Sequence, residues 1–304
     1  MGTLLPSRLL IRAVISIASL SGAAFYFTRQ RFNQKCPRIP LSALPESSAC
    51  RNLLDTNETL DRQAWGLLNS RLLASWPGSN NASTHWIPSF TAVHVEIPVV
   101  SLAGSSADGD RDLLPLVKNL VAAFLDARAA GPESWILDRE VPALSFSPGH
   151  HLFGTTPEPG AFLLGTWSSI SGEGLEPPAL PSDAPRPVAS FPSNRGFLDA
   201  GEHEAAGLVL YWRAVERSVQ AANRGMGRIG LPWRVMEGGF QELIVERVSE
   251  GTLRVTYVSV EASRIADPRG ERSFGRLPWL LYEMHVMYAQ HLLLGAVGKL
   301  GAIQ

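Results

Sequence analysis

Cysteine is almost missing from this chain: only Cys36 and Cys50 occur among 304 residues. Two thiols supply neither a disulfide framework nor a four-ligand zinc site, so both of those scaffold classes drop out. A single bridge in an oxidising lumen, or two ordinary thiols, are the readings left, and the second asks for nothing further. An excess of either charge is missing as well. Lysine and arginine total 27 against 28 acidic residues, scattered along the chain, which leaves no basic face for a nucleic acid. A Gly-x-Ser-x-Gly elbow, a Walker loop, an HExxH helix and a CxxC pair are also lacking. Serine hydrolases, P-loop NTPases and the common zinc enzymes are disfavoured accordingly, and no metal or other cofactor is called for. What the chain does have is apolar bulk. With 45% hydrophobic and 18% charged residues, it can build one large core or two small ones.

That bulk first gathers at residues 9–28, apolar apart from Arg12. The uncharged part, 13–28, is short for a membrane span but workable if Arg12 snorkels to the headgroups. A signal-anchor helix, a cleaved signal peptide ending near Ser21-Gly22-Ala23 and a buried core helix compete for this segment. The aromatic cluster Phe25-Tyr26-Phe27, followed by Arg29 and Arg31, resembles an interfacial belt and favours the anchor. Residues 1–35 are therefore expected to be a single-pass anchor with its flank, in the endoplasmic reticulum membrane. The side is open. Basic residues after the span lean towards a cytosolic domain, whereas the sequons at Asn57 and Asn81 would mark a lumenal one.

Residues 36–85 read as a proline- and serine-punctuated stalk followed by an amphipathic helix over 57–76. The folded domain is expected to occupy 86–304. Residues 91–97 alternate as a strand, and 113–130 form an amphipathic helix with Asp110 or Asp112 placed to cap it. Residues 134–141 and 161–170 read as strands, with a loop at 147–154 between them. A proline-rich loop spans 172–195. The stretch 205–219 leans towards a strand through Trp212. Gly225-Met226-Gly227-Arg228-Ile229-Gly230 spells a dinucleotide fingerprint, but no buried strand precedes it and Pro232 follows it, so it reads as a flexible turn.

The clearest pattern lies at the carboxyl end. Residues 240–248 and 252–264 predict two strands joined at Ser249-Glu250-Gly251, with the glycine free to take positive φ. Leu253, Val255, Tyr257 and Ser259 share one face of the second strand. A helix then begins near Leu277, with Leu280, Leu281, Met284, Met287, Tyr288, His291 and Leu292 expected along its buried stripe. Polar groups within this frame give the candidate chemistry. His94 and Glu96 lie two apart on one strand face, where they could pair as acid and base. Glu283, Met287 and His291 run down one side of the last helix. His150 and His151 read as an exposed loop pair, and Asp199, Glu202, His203 and Glu204 as solvated charge.

The closing hairpin and the helix with Tyr282…Tyr288-Ala289-Gln290-His291-Leu292-Leu293 resemble the START-like (helix-grip, SRPBCC) superfamily. With its anchor, the chain also looks similar to uncharacterised single-pass fungal proteins. The resemblance implies an α+β fold: a curved antiparallel sheet gripping the C-terminal helix over an apolar cavity. Tyr257, Trp212, Phe240, Met284 and Met287 would then line the cavity, with His291, Glu283 and His94 as its polar groups. The expected function is a membrane-anchored domain binding a hydrophobic small molecule, as a cyclase or isomerase beside other enzymes of a biosynthetic pathway. The alternative is a non-catalytic lipid carrier or a membrane-tethered accessory protein.

Overall fold

The computed structural model describes residues 22–53, 85–99, 113–131, 151–153, 160–169, 204–231, 235–265 and 279–301. Helix α1 is described over residues 22–35 and α2 over Ala49–Leu53, with a 3-10 turn at Leu41–Ala43 between them. Then come β1 (His85–Pro98), α3 (Leu114–Ala129), β2 (His151–Phe153), β3 (Gly160–Ser168) and β4 (Ala205–Arg213). Helix α4 (Glu216–Arg228), strands β5 (Gly238–Ser249) and β6 (Thr252–Ile265), and helix α5 (Trp279–Lys299) complete the order. The six strands form one antiparallel sheet in the order β1-β6-β5-β4-β3-β2. The fold is α+β.

The period-2 pattern decides which side chains go to which layer. Leu253, Val255 and Tyr257 of β6 and Leu243 and Val245 of β5 face α3 and α5, where Phe124 stacks on Tyr257 at 4.8 Å between centroids. Each fully buried leucine or phenylalanine here contributes about 1.5–3 kcal/mol. Any hollow wide enough for water would leave its wall side chains some exposed surface. Phe124, Leu210, Leu243, Val286 and Leu293 have none. Around them the layer between helices and sheet is filled.

The opposite face is covered by the segment expected to be a stalk. Leu41, Leu44, Ala49 and Cys50 are buried against Leu164, Val209, Phe240, Ile244 and Val258. Residues 36–53 thus belong to the folded domain. Their prolines and serines suggested a spacer, but their apolar side chains match a sheet face that lies far away in sequence. Both cysteines are free and buried, and burial pushes the Cys36 thiol up to about 12.

Other expectations are corrected locally. Gly225 and Gly227 lie inside α4, and only Gly230 takes positive φ there, at 73°. Gly251 is not among the positive-φ glycines of the described residues. His151 belongs to strand β2 instead of a loop. Helix α3 has Leu113 at its N-cap and no side-chain capping bond. Asp110, Asp112, His150, the strand expected at 134–141, the helix at 57–76, the sequons, the loop at 172–195 and the acidic residues near 200 lie outside the described residues, apart from Glu204.

The largest correction concerns α5. Its buried face carries Glu283, Val286, Ala289, Gln290, Leu293 and Val297, whereas Leu280, Leu281, Met284 and His291 are exposed. The helix is apolar almost all round, so hydrophobic spacing alone cannot choose its inward side. The inward side carries the polar Glu283 and Gln290 as well as Ala289 and Ala296, and Gly295 stands beside Ala127 of α3 with room for a Cβ.

Candidate functional site

Glu283 and Gln290 are seven residues apart, two helical turns, and therefore share one face of α5. That face meets α1. Arg29 donates from Nε to the Glu283 carboxylate at 2.5 Å, and Arg38 donates to the same oxygen. One turn or two further along, Gln290 donates to Asn33 Oδ1 at 2.9 Å and to the Cys36 carbonyl at 2.7 Å. Arg29 also covers the Trp279 ring and Arg38 the Tyr282 ring, at 5.5 and 5.7 Å. Tyr282 in turn donates to the Phe90 carbonyl at 3.3 Å. The contacts advance in the same order on both helices, from Phe25–Trp279 through Arg29–Glu283 to Asn33–Gln290. Helices α1 and α5 therefore lie side by side and parallel.

The electrostatics follow from this geometry. Burial pushes Glu283 up, but the hydrogen bonds and charges of Arg38 and Arg29 outweigh it and hold the carboxylate below its usual range. A carboxylate neutralised by two guanidinia is a clasp, with no proton to exchange near neutral pH.

A second carboxylate stands on the other sheet face. Glu242, in the central strand β5, is wholly buried. It accepts from Ser48 Oγ (2.7 Å), from the Ala49 and Cys50 amides (both 2.9 Å) and from Trp167 Nε1 (2.7 Å). The amides are the unpaired donors at the start of α2, which a carboxylate satisfies well. Trp167 can cross β4 to reach it because the paired residue is Gly207, and a Cβ there would sit inside the indole. Burial raises Glu242 above its usual range, with the four donors opposing. Burial and then Glu242 itself raise Cys50 in turn.

The residues singled out from the sequence are not gathered into one place. His94 sits on the same sheet face as Ala92, away from α5. The carboxylate of Glu96 accepts from Arg254 at 2.9 Å, and no hydrogen bond joins it to His94, whose Nδ1 is buried without a partner. Burial, then the Arg254 charge, lower the imidazole, with Glu96 opposing. His291 is exposed and meets the Phe32 ring edge-on at 6.4 Å. Tyr257 and Phe240 lie on opposite faces of the sheet, one against Phe124 and the other against Tyr211. Trp212 packs at the border of the α3–α5 layer, Met287 is half-buried, and Met284 is exposed.

Arg29, Arg38, Gln290, Glu242 and Trp167 were not among the site residues expected from the sequence. The seven-residue spacing of Glu283 and Gln290 was a readable signal, as was an acidic residue between Phe240 and Ile244 on one strand face. Among the described residues no group of histidines, cysteines and carboxylates could hold a metal ion. No helix among them is long and apolar enough to cross a membrane. Most of the apolar run at 9–28 lies outside them. No family model, curated protein or solved structure matches the chain.

Proposed function

We propose that this chain is a membrane-tethered accessory domain, held at a fixed attitude to the bilayer beside a partner enzyme of the same membrane, with the endoplasmic reticulum as the expected site. The observation that carries the reading is the clasp of α1 onto α5. The apolar run at 9–28 leads directly into α1, and α1 is joined to the domain through Arg29, Arg38, Asn33 and Cys36. A tether attached by a partly buried, doubly bonded ion pair transmits orientation, where a loose stalk would transmit only distance. The filled layer between sheet and helices supports a scaffold over a carrier, as does the place of His94 on the sheet face it shares with Ala92, away from α5.

The test uses the full chain expressed in membranes. It should stay with the pellet in alkaline carbonate and, after incubation with an organic extract of its host, carry no stoichiometric small molecule by native mass spectrometry. Release into the supernatant removes the tether. Retention of one hydrophobic molecule per chain, or its conversion, replaces this reading with the cyclase or isomerase one. An endoglycosidase shift at Asn57 or Asn81 would put the domain in the lumen.

A further inference from the structure

A tethered domain still has to be oriented, and one end of the helix pair carries an unexplained surface. Tyr26, Phe27, Trp279, Leu280, Leu281 and Met284 all stand exposed, Phe27 at 67% and Trp279 at 55%. None belongs to either apolar cluster of the core. Large side chains gathered in this way on a soluble surface mark an interaction site.

Three observations say what covers them. The first is direction. Because α1 and α5 run parallel in register, the first turn of α5 stands level with residues 25–29, where the apolar run ends. On the tether reading, the bilayer that the run enters has Trp279 to Met284 at its boundary. The second is chemistry. Tyrosine and tryptophan are the side chains that settle between hydrocarbon and headgroups. Arg29 lies over Trp279, and Arg31 and Lys35 are exposed further along α1, at the level of anionic headgroups. The third is depth. Residues 279–284 rise about 7.5 Å along the axis at ~1.5 Å per residue, which suits an interfacial layer about 5–10 Å deep.

We propose that the amino-terminal turn of α5 is a second membrane contact, seated in the headgroup and upper acyl region of the bilayer beside the point where α1 emerges. The proposal rests on the tether reading. The clasp fixes the domain to α1, and a second contact beside it holds the pair against rotation about the axis of the span.

The experiment reconstitutes the full chain into vesicles of phosphatidylcholine with phosphatidylserine and places a spin label at Leu281→Cys. A second variant, Ile229→Cys at the exposed end of α4, serves as the aqueous reference. Labelling is selective because Cys36 and Cys50 are buried and their thiols are held protonated. The ratio of oxygen to nickel-chelate accessibility should be several-fold higher at residue 281 than at residue 229. A label at 281 as open to nickel as the one at 229 overturns the proposal while leaving the tether in place. Protection from both reagents means protein covers the patch, and also overturns it. If the unlabelled chain washes off the vesicles in carbonate, the tether reading fails and this inference fails with it.

Discussion

Glu242 and Glu283 are both buried, and opposite means hold them. Glu242 is surrounded by neutral donors, two of them the open amides of α2, and no cation reaches it. Glu283 sits between two guanidinia, each with about 30% of its side chain exposed. The first joins a segment to the centre of a sheet, where water is excluded and every donor needs its acceptor. The second joins two helices near the surface, where charges remain partly hydrated. A short segment whose apolar side chains already meet the sheet is pinned by a carboxylate that gathers its amides, and a long helix by a carboxylate that gathers its arginines. The difference also separates the cost of losing each. An unsatisfied interior donor has no recourse, whereas a freed surface arginine turns to solvent.

Glu242→Ala is the strongest way to expose that asymmetry. It should cost roughly 3–5 kcal/mol in a denaturant melt, because it leaves four donors without an acceptor and a hollow in the sheet layer. A cost below that of Glu283→Ala would reverse the comparison. Gly207→Ala comes next. The added methyl must displace the Trp167 indole and so break its bond to Glu242, at about 1–3 kcal/mol. An unchanged melt would mean that the tryptophan is dispensable to the network. Glu283→Ala should be milder globally, about 1–2 kcal/mol given the partial exposure of both arginines. Its effect should be local, with faster hydrogen exchange over residues 22–35 and faster tryptic cleavage after Arg29 and Arg31. Uniform loss of protection across the sheet would contradict a separate clasp.

The smallest effect is the dependence on pH, where the two carboxylates should have opposite signs. Glu283 is depressed when folded, so its contribution is present above the unfolded carboxylate range and is lost as pH falls through the depressed folded value. Glu242 is raised when folded, so stability is lost as pH rises from the unfolded range through the raised value. Glu283→Gln should flatten the acid limb of a stability profile, and Glu242→Gln the limb leading to neutrality. Midpoints of urea unfolding across that range decide it. Parallel profiles for the two variants would show that their surroundings titrate alike.

Strands β1, β5 and β6 were legible because alternation is a local property, visible in Val93, Val95 and Ile97 or in Leu253, Val255 and Tyr257. The last helix was legible in extent but not in orientation, since leucines and methionines surround it and its packed side includes the polar Glu283 and Gln290. Helix α4 was hidden by Gly225 and Gly227, which weaken any helical pattern. The role of residues 36–53 could not be read at all. It depends on Glu242 and Phe240, nearly two hundred positions away, and no periodicity within the segment reports such a partner. The same holds for the candidate site. Glu283 was singled out as an acid, and its actual occupation depends on Arg29 in the expected membrane flank and Arg38 in the expected stalk.

The pairing of Arg38 with Val93, supported by bonds from Ile39 to Ala92 and from His94 to Pro37, has a consequence for assembly. An antiparallel sheet tends to recruit foreign strands along its rim. Here the chain occupies part of the β1 rim with its own backbone. Strand addition from a second copy is thereby blocked over the stretch of β1 that pairs with Pro37 to Ile39.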